Sequence, residues 1–245
     1  VIPSSAAVSI IIPTYGMADM LRLSLQSIEA QHHSPIEVIV CDGLGDDATA
    51  AVLASFNALN IVHLAEPDRG VYDAMNKGIE RASGTWLYFL GADDQLAHAR
   101  ALTSLLSHYR EGAMLLAGRV KNLPPRQRWV PEWHEPQWGN LMLLKNTLHH
   151  QGVLYHRDLF EAYRYPVNLK VLGDYHLNLT LLQLETPIIL TDVALAVCSP
   201  GGLSKRFKAS LYKEEWALKS TILPLGSKFY QPLWLAIKYL WKNLR

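Results

Sequence analysis

Cysteine is nearly absent. The 245 residues hold two, Cys41 and Cys198, each inside a strand-like apolar run and with no Cys-x-x-Cys spacing. That argues against a disulfide-stapled scaffold and a cysteine-built zinc site, and predicts two buried reduced thiols. Long apolar runs are missing as well. No stretch reaches the roughly 18 residues of a membrane span, and Val1 to Ala7 has neither the basic start nor the apolar core of a secretory signal, so a cytoplasmic chain is expected. Internal repeats, low-complexity linkers and nucleic-acid-binding motifs are lacking. What is present, 49% apolar residues, suffices for one large core, or one with an appendage, and excludes a disordered chain.

The net charge of +1 conceals a split. From Lys205 onward nine Lys or Arg stand against Glu214 and Glu215, a local +7 that leaves −6 for the remainder. Such a tail predicts an anionic partner, a membrane surface or a lipid-linked phosphate, rather than nucleic acid. Within it Tyr230, Leu233, Trp234, Ile237, Leu240, Trp241 and Leu244 recur at helical spacing, with Lys238, Lys242 and Arg245 on the other positions. The pattern fits a helix lying on a bilayer, or one docked on its own domain or a partner subunit.

Upstream, strands and helices alternate. Val8 to Pro13 is a β-branched run suited to a buried strand, followed by a helix over Met17 to Gln31. Glu37 to Asp42 is a second strand, Ala48 to Phe56 a helix, and Ile61 to Leu64 a third strand. The link Gly43-Leu-Gly-Asp-Asp-Ala48 satisfies the Gly-x-Gly-x-x-Ala dinucleotide pattern. Asp46 and Asp47, however, occupy the helix start where a pyrophosphate would lie; they would repel it while capping the helix themselves. A dehydrogenase therefore stays only as a competing reading.

The most informative stretch is Glu66 to Asp94. Pro67, Asp68 and Gly70 form a turn signal, Val71 to Ala82 a helix stopped by Ser83-Gly84, and Thr85 to Leu90 an apolar strand ending at Gly91-Ala92-Asp93-Asp94. Both acids thus emerge at a strand's carboxyl end, where open α/β sheets bind ligands, and hard oxygen donors there suit Mg²⁺ or Mn²⁺ carrying a diphosphate. Beyond it come a helix over Ala97 to Arg110, strands at Ala113 to Val120 and Val153 to His156, a helix from Asp174 to Gln183, and short late strands at Ile188 to Leu190 and Leu195 to Val197. Alternation of this kind predicts a mostly parallel central sheet covered by helices on both faces. A proline-punctuated segment from Lys121 to Asn140 carries Trp129, Trp133 and Trp138, whose ring faces suit a sugar or ordinary packing. Adjacent His149 and His150 in an extended chain would point to opposite sides, which disfavours a two-histidine metal site.

The Ile-Pro-Thr-Tyr15 opening, the second-strand Asp42 and the run from Gly70 to Asp94 resemble the family 2 glycosyltransferases. The resemblance covers roughly the first hundred residues and returns near Asp174 and Gly201. It implies a GT-A fold, with a catalytic domain over 1–204 (a nucleotide-sugar half, 1–94, and an acceptor half, 95–204) and a basic helical extension over 205–245. It also implies a metal-dependent, inverting transfer of a sugar from a UDP, GDP or dTDP donor to a glycan or lipid-linked hydroxyl. Pro13, Thr14 and Tyr15 would meet the nucleotide and Asp42 the base. Gly70, Asp73, Asn76, Lys77 and Ala92 would line the donor, and Asp93 with Asp94 would hold Mn²⁺ or Mg²⁺. His150 and Gln151 would sit in the cleft and Asp174 would be the catalytic base. Gly201 to Ser204 would be a mobile loop, with Lys205 and Arg206 near the diphosphate. The chain departs from the pattern at Gly16, Leu44, Gly45, Met75 and Gly91, the last replacing the first acid of the metal motif. Two further readings are a nucleotidyltransferase, for which the basic glycine-rich loop after the first strand is missing, and a sugar-nucleotide binding module without turnover.

Overall fold

Alternate residues of the central strands face two separate apolar layers, and this period of two sets the architecture. A computed structural model describes residues 7–33, 35–125, 130–200, 209–223 and 229–243. Strands β1 (Val8–Thr14), β2 (Ile36–Asp42), β3 (Asn60–Ala65) and β4 (Trp86–Phe89) alternate with helices α1 (Ala18–Glu29), α2 (Asp47–Ala54) and α3 (Val71–Arg81). There follow β5 (Gln95–Leu96), α4 (Ala101–Leu106), β6 (Leu115–Asn122), β7 (Trp133–His134), β8 (Val153–His156), α5 (Leu159–Ala162), α6 (Gly173–Gln183) and β9 (Ile188–Cys198). Helices α7 (Ala209–Ile222) and α8 (Gln231–Asn243) close the described chain.

The sheet runs β3-β2-β1-β4-β8-β6-β9-β5, with β7 beside β6. The parallel arrangement expected from the sequence holds across β3, β2, β1 and β4. It gives way at β8, which is antiparallel to both β4 and β6. On one face Ile10, Ile12, Val38, Val40, Trp86 and Tyr88 pack against α1, α2 and α4. On the other, Ile11, Ile39, Leu87, Phe89, Val153 and Tyr155 meet α3, α6 and α7. Helix α3 lies close on the sheet because Gly78 has no side chain; a Cβ there would run into Ile11 and Cys41. Both cysteines are buried and outside any disulfide among the described residues, and burial pushes the Cys41 thiol up to about 12.

Two expected elements differ. The helix foreseen over Ala97 to Arg110 is limited to α4, because Gln95 and Leu96 pair with β9 and the Ala97 amide bonds to Leu195, drawing the start of the segment into the sheet. The two late strands are one, β9, whose register against β6 shifts between Ala117 and Arg119 and again before Val120.

Glu37 ties the first half together. Its carboxylate accepts from the Ser9 hydroxyl on β1 and from Ser83 and Gly84 in the turn before β4. Burial alone would raise its pKa, but these donors together outweigh burial and hold the carboxyl below the usual range. Its stabilisation is therefore present above the ordinary carboxylate pKa and lost as pH falls through the lowered value. Glu37→Gln is expected to cost about 1–2 kcal/mol in urea unfolding at neutral pH and to flatten the acid limb of stability against pH; an unchanged acid limb would contradict this role.

Candidate active site

The carboxyl ends of β1, β2 and β3 are level, since Thr14 pairs with Asp42 and Asp42 with Ala65. Just past β1 the Tyr15 ring is 66% exposed. Beside it lies Gly43, where a Cβ would collide with Asp68 Oδ2 and come within 3.3 Å of the Tyr15 ring. Asp68, which the sequence reading assigned only to a turn, accepts from the Gly70 amide at 2.8 Å through Oδ1 and presents Oδ2 over Gly43. Gly70 itself, at φ 128°, caps α3 in a conformation that favours glycine and has open space around it.

Several residues expected along the donor have other partners. Asp42 is fully buried; it accepts from the Leu44 and Gly45 amides at 3.1 and 3.0 Å and lies 3.3 Å from His63 Nε2. Its carboxylate shapes the β2–α2 turn. The same contacts turn inward the amides that a dinucleotide would need, and Asp46 caps α2 through the Thr49 amide at 2.6 Å, so the glycine pattern is a helix start. Asp73 is held by the Arg69 amide and guanidinium at 3.0 and 2.9 Å. Asn76 spends both amide groups on the Tyr165 backbone, each at 2.9 Å. Lys77 binds the Pro67 carbonyl at 2.7 Å and Glu66 at 3.3 Å. The Thr14 and Ala92 side chains are buried and Pro13 is half-buried. These residues build the rim from behind, because helix α3 must anchor the loop before it and the segment at Tyr165.

The acids at the tip of β4 behave differently from each other. Asp93 is half-buried, whereas Asp94 is 4% exposed and accepts from Gln151 Nε2 at 2.6 Å and from the Ser199 amide at 2.9 Å. The Ser199 hydroxyl donates to the Asp93 carbonyl. Burial, with the neighbouring Asp93 charge second, raises the Asp94 pKa despite these donors. Gly91 fits this packing: a Cβ would stand 2.5 Å from Asp94 Oδ2 and 3.1 Å from Asp93 Oδ1, so the residue that replaces the first motif acid leaves room for the other two.

Gln151 carries the site across the sheet. Its carbonyl accepts from Tyr88 at 2.9 Å, and its neighbour His150 places Nδ1 3.6 Å from Asp174 Oδ2. Asp174 opens α6, and Oδ2 also accepts from Asn146 Nδ2 at 2.9 Å. Asn146 is oriented in turn by Asn178 at 3.0 Å. No partner meets Asp174 Oδ1 among the described residues. Residues 150–152 form a 3₁₀ turn, so His149 and His150 stack with ring centroids 5.7 Å apart instead of pointing to opposite sides.

The loop before Asp174 is fastened from the carboxyl-terminal helices. Glu214 Oε1 on α7 accepts from the amides of Lys170, Val171 and Leu172 at 3.1, 2.8 and 2.8 Å, and the Tyr72 hydroxyl donates to the Val171 carbonyl at 2.7 Å. Neither Glu214 nor Asn146 carries a local sequence signal, since each acts across a long chain separation. Trp133 has the Arg119 guanidinium 4.5 Å over its ring, and Trp138 packs against the core. Trp129, the 201–204 glycine segment, Lys205 and Arg206 lie outside the described residues.

Fold and site together define a glycosyltransferase of the GT-A type. The chain belongs to glycosyl transferase family 2, whose family model matches residues 9–164. It is 36% identical over 208 residues to a PGL/p-HBAD biosynthesis glycosyltransferase of Mycobacterium tuberculosis, covering 80% of this chain and 78% of that one. Among solved structures it resembles Staphylococcus aureus TarS 1-349 in complex with UDP-GlcNAc (TM-score 0.72, 19% identity, 97% of this chain and 73% of that one). It spans 43% of a longer TarS chain. It also resembles the mannosyltransferase PcManGT of Pyrobaculum calidifontis in complex with GDP-Man and Mn²⁺ (TM-score 0.64, 17% identity, 96% of this chain and 71% of that one).

Glu214→Ala is expected to cost about 2 kcal/mol of stability and to lower kcat more than it changes the donor KM. Glu214→Gln, which keeps an acceptor oxygen, should recover most of both. An Ala variant as stable and as active as the parent would refute the fastening role.

Proposed function

We propose that the chain transfers a sugar from a nucleoside diphosphate donor to a hydroxyl of a glycan or lipid-linked acceptor, with inversion at the anomeric carbon. The observation that carries this reading is the His150-Gln151 dipeptide, which touches Asp94 through one residue and Asp174 through the next. It joins a strand-tip acid pair to a half-buried carboxylate with an open oxygen, as direct displacement requires: leaving-group stabilisation on one side, a general base on the other.

The exposed Tyr15 ring and Asp68 Oδ2 flank the place of the base, where a carboxylate can accept from a nucleobase N–H. The diphosphate lies toward Asp93. Among the described residues no three His, Cys, Asp or Glu come together as a metal site. A single outward carboxylate nonetheless fits Mg²⁺ or Mn²⁺, because such ions commonly take one or two protein carboxylates and complete their shell with phosphate oxygens and water. When bound, the ion would neutralise charge developing on the leaving diphosphate. Asp93 would hold it, and Asp94, locked by Gln151 and Ser199, fixes the direction of Asp93. Asp174 takes the acceptor proton at Oδ1 while Asn146 and His150 hold Oδ2. The similar solved structures, one in complex with UDP-GlcNAc and another with GDP-Man and Mn²⁺, support a nucleotide-sugar donor.

A thermal-shift panel of UDP, GDP and dTDP sugars with and without manganese should show one nucleotide stabilising the chain most. With that donor, Asp174→Asn is expected to reduce transfer by at least about a hundredfold with donor binding intact, whereas Asp93→Asn should weaken donor binding in manganese. Transfer unaffected by Asp174→Asn would remove the assigned base, and donor binding without any turnover in the parent would favour a binding module.

A further inference from the structure

Helix α8 docks on the body with one side and leaves the other bare. Gln231 is fully buried, Leu235 is 5% exposed, and Trp234 Nε1 donates to the Leu144 carbonyl at 3.2 Å. Lys238, the only charged residue between 229 and 240, turns inward to Glu215 at 2.7 and 3.0 Å. Every exposed residue from 229 to 240 is apolar or aromatic, with Phe229 86%, Leu233 67%, Ile237 50% and Leu240 47% exposed. Next to this face an open groove of about 480 Å³ runs between α7 and α8, lined by Tyr212, Trp216, Leu235 and Tyr239 and flanked by exposed Lys213. A contiguous uncharged face of this kind calls for a cover.

Length and charge select the cover. The 13 residues of α8 rise about 20 Å, short of the roughly 30 Å of a bilayer core. Among the described residues no helix is long and apolar enough to cross a membrane. The segment from Lys205 carries +7, and in sequence Lys228 precedes the bare face while Lys242 and Arg245 follow it. A second copy would bring the same positive charge against itself, whereas an anionic surface complements it. We propose that α7 and α8 dock on an anionic phospholipid bilayer. Helix α8 lies in the headgroup plane with Phe229, Leu233, Ile237 and Leu240 in the acyl boundary, and the groove receives part of an acyl chain. This inference stands whether or not the assigned catalytic residues are correct.

The test is co-sedimentation of the full chain with phosphatidylcholine vesicles, with and without phosphatidylglycerol. The parent is expected to pellet with the anionic vesicles, less so at raised salt, and weakly with the neutral ones. Exchanging Leu233→Glu and Ile237→Glu should reduce the partition roughly a hundredfold with the thermal midpoint unchanged. Should that pair alter melting, Leu233→Ser with Ile237→Ser replaces it. The proposal falls if the parent ignores anionic vesicles, if the folded variant binds equally well, or if the parent is a dimer that the variant turns into a monomer, which would assign the face to a second copy.

Discussion

The buried carboxylate of Asp94 is the constraint on which the site depends. It sits at the end of β4, the last strand of the parallel set, and is clasped by Gln151 and by the Ser199 amide, 57 and 105 residues away in the chain. An ionised group in that position must be hydrogen-bonded, and leaving it unpaired costs on the order of 3 kcal/mol. The clasp therefore draws three distant pieces of chain to one point. With Asp94 committed inward, its neighbour Asp93 stays half-buried at the strand tip, and the residue before Gln151 is brought to Asp174.

The reversal of strand direction at β8 has its consequence here. β8 enters the sheet antiparallel to β4. The amino end of β8 therefore lies at the carboxyl end of β4, and the 3₁₀ turn leading into β8 arrives beside the strand-tip acids. In a wholly parallel sheet that end would be occupied by another outgoing strand. The mixed topology thus brings His150 and Gln151 of the second half of the chain beside Asp94 of the first.

Much of the framework was legible because it rests on local periods. β-branched runs specified β1 and β2 and an apolar, aromatic run specified β4, and the Ser83-Gly84 stop placed the end of α3 within a residue. The carboxylates at 93, 94 and 174 could be proposed for the site because strand ends and helix starts are local features. The scaffold contacts of Asp42, Asp73, Asn76 and Lys77 were hidden for the complementary reason. A polar side chain near a site has either ligand or scaffold to bond, and the choice depends on contacts such as Asn76 to Tyr165, 89 residues apart. Asp68 was hidden inside a turn motif, and its second oxygen acquires meaning only once Gly43 is seen to make room for it. Glu214 and Asn146 had no local signal at all.

Helix α7 links the two ends of this molecule through consecutive residues. Side chains at successive helical positions diverge by about 100°, so Glu214 and Glu215 cannot serve the same neighbour. Glu214 turns to the amides before Asp174, while Glu215, 3% exposed, binds Lys219 at 2.8 Å and Lys238 of α8. Lys219 is itself fully buried, reaching the Leu144 carbonyl at 3.0 Å and Gln231 at 3.2 Å. Burial lowers its pKa, opposed by Glu215, so this cation depends on its partners to remain charged. A buried network of this kind contributes less through net stability than through geometry, since an apolar replacement could be as stable but would not fix one arrangement of α7 against α8. The bare face of α8 and the carboxylate of Asp174 are thereby held in a defined relation. On the proposed docking of α8 to a bilayer, that relation would set the height of Asp174 above the surface.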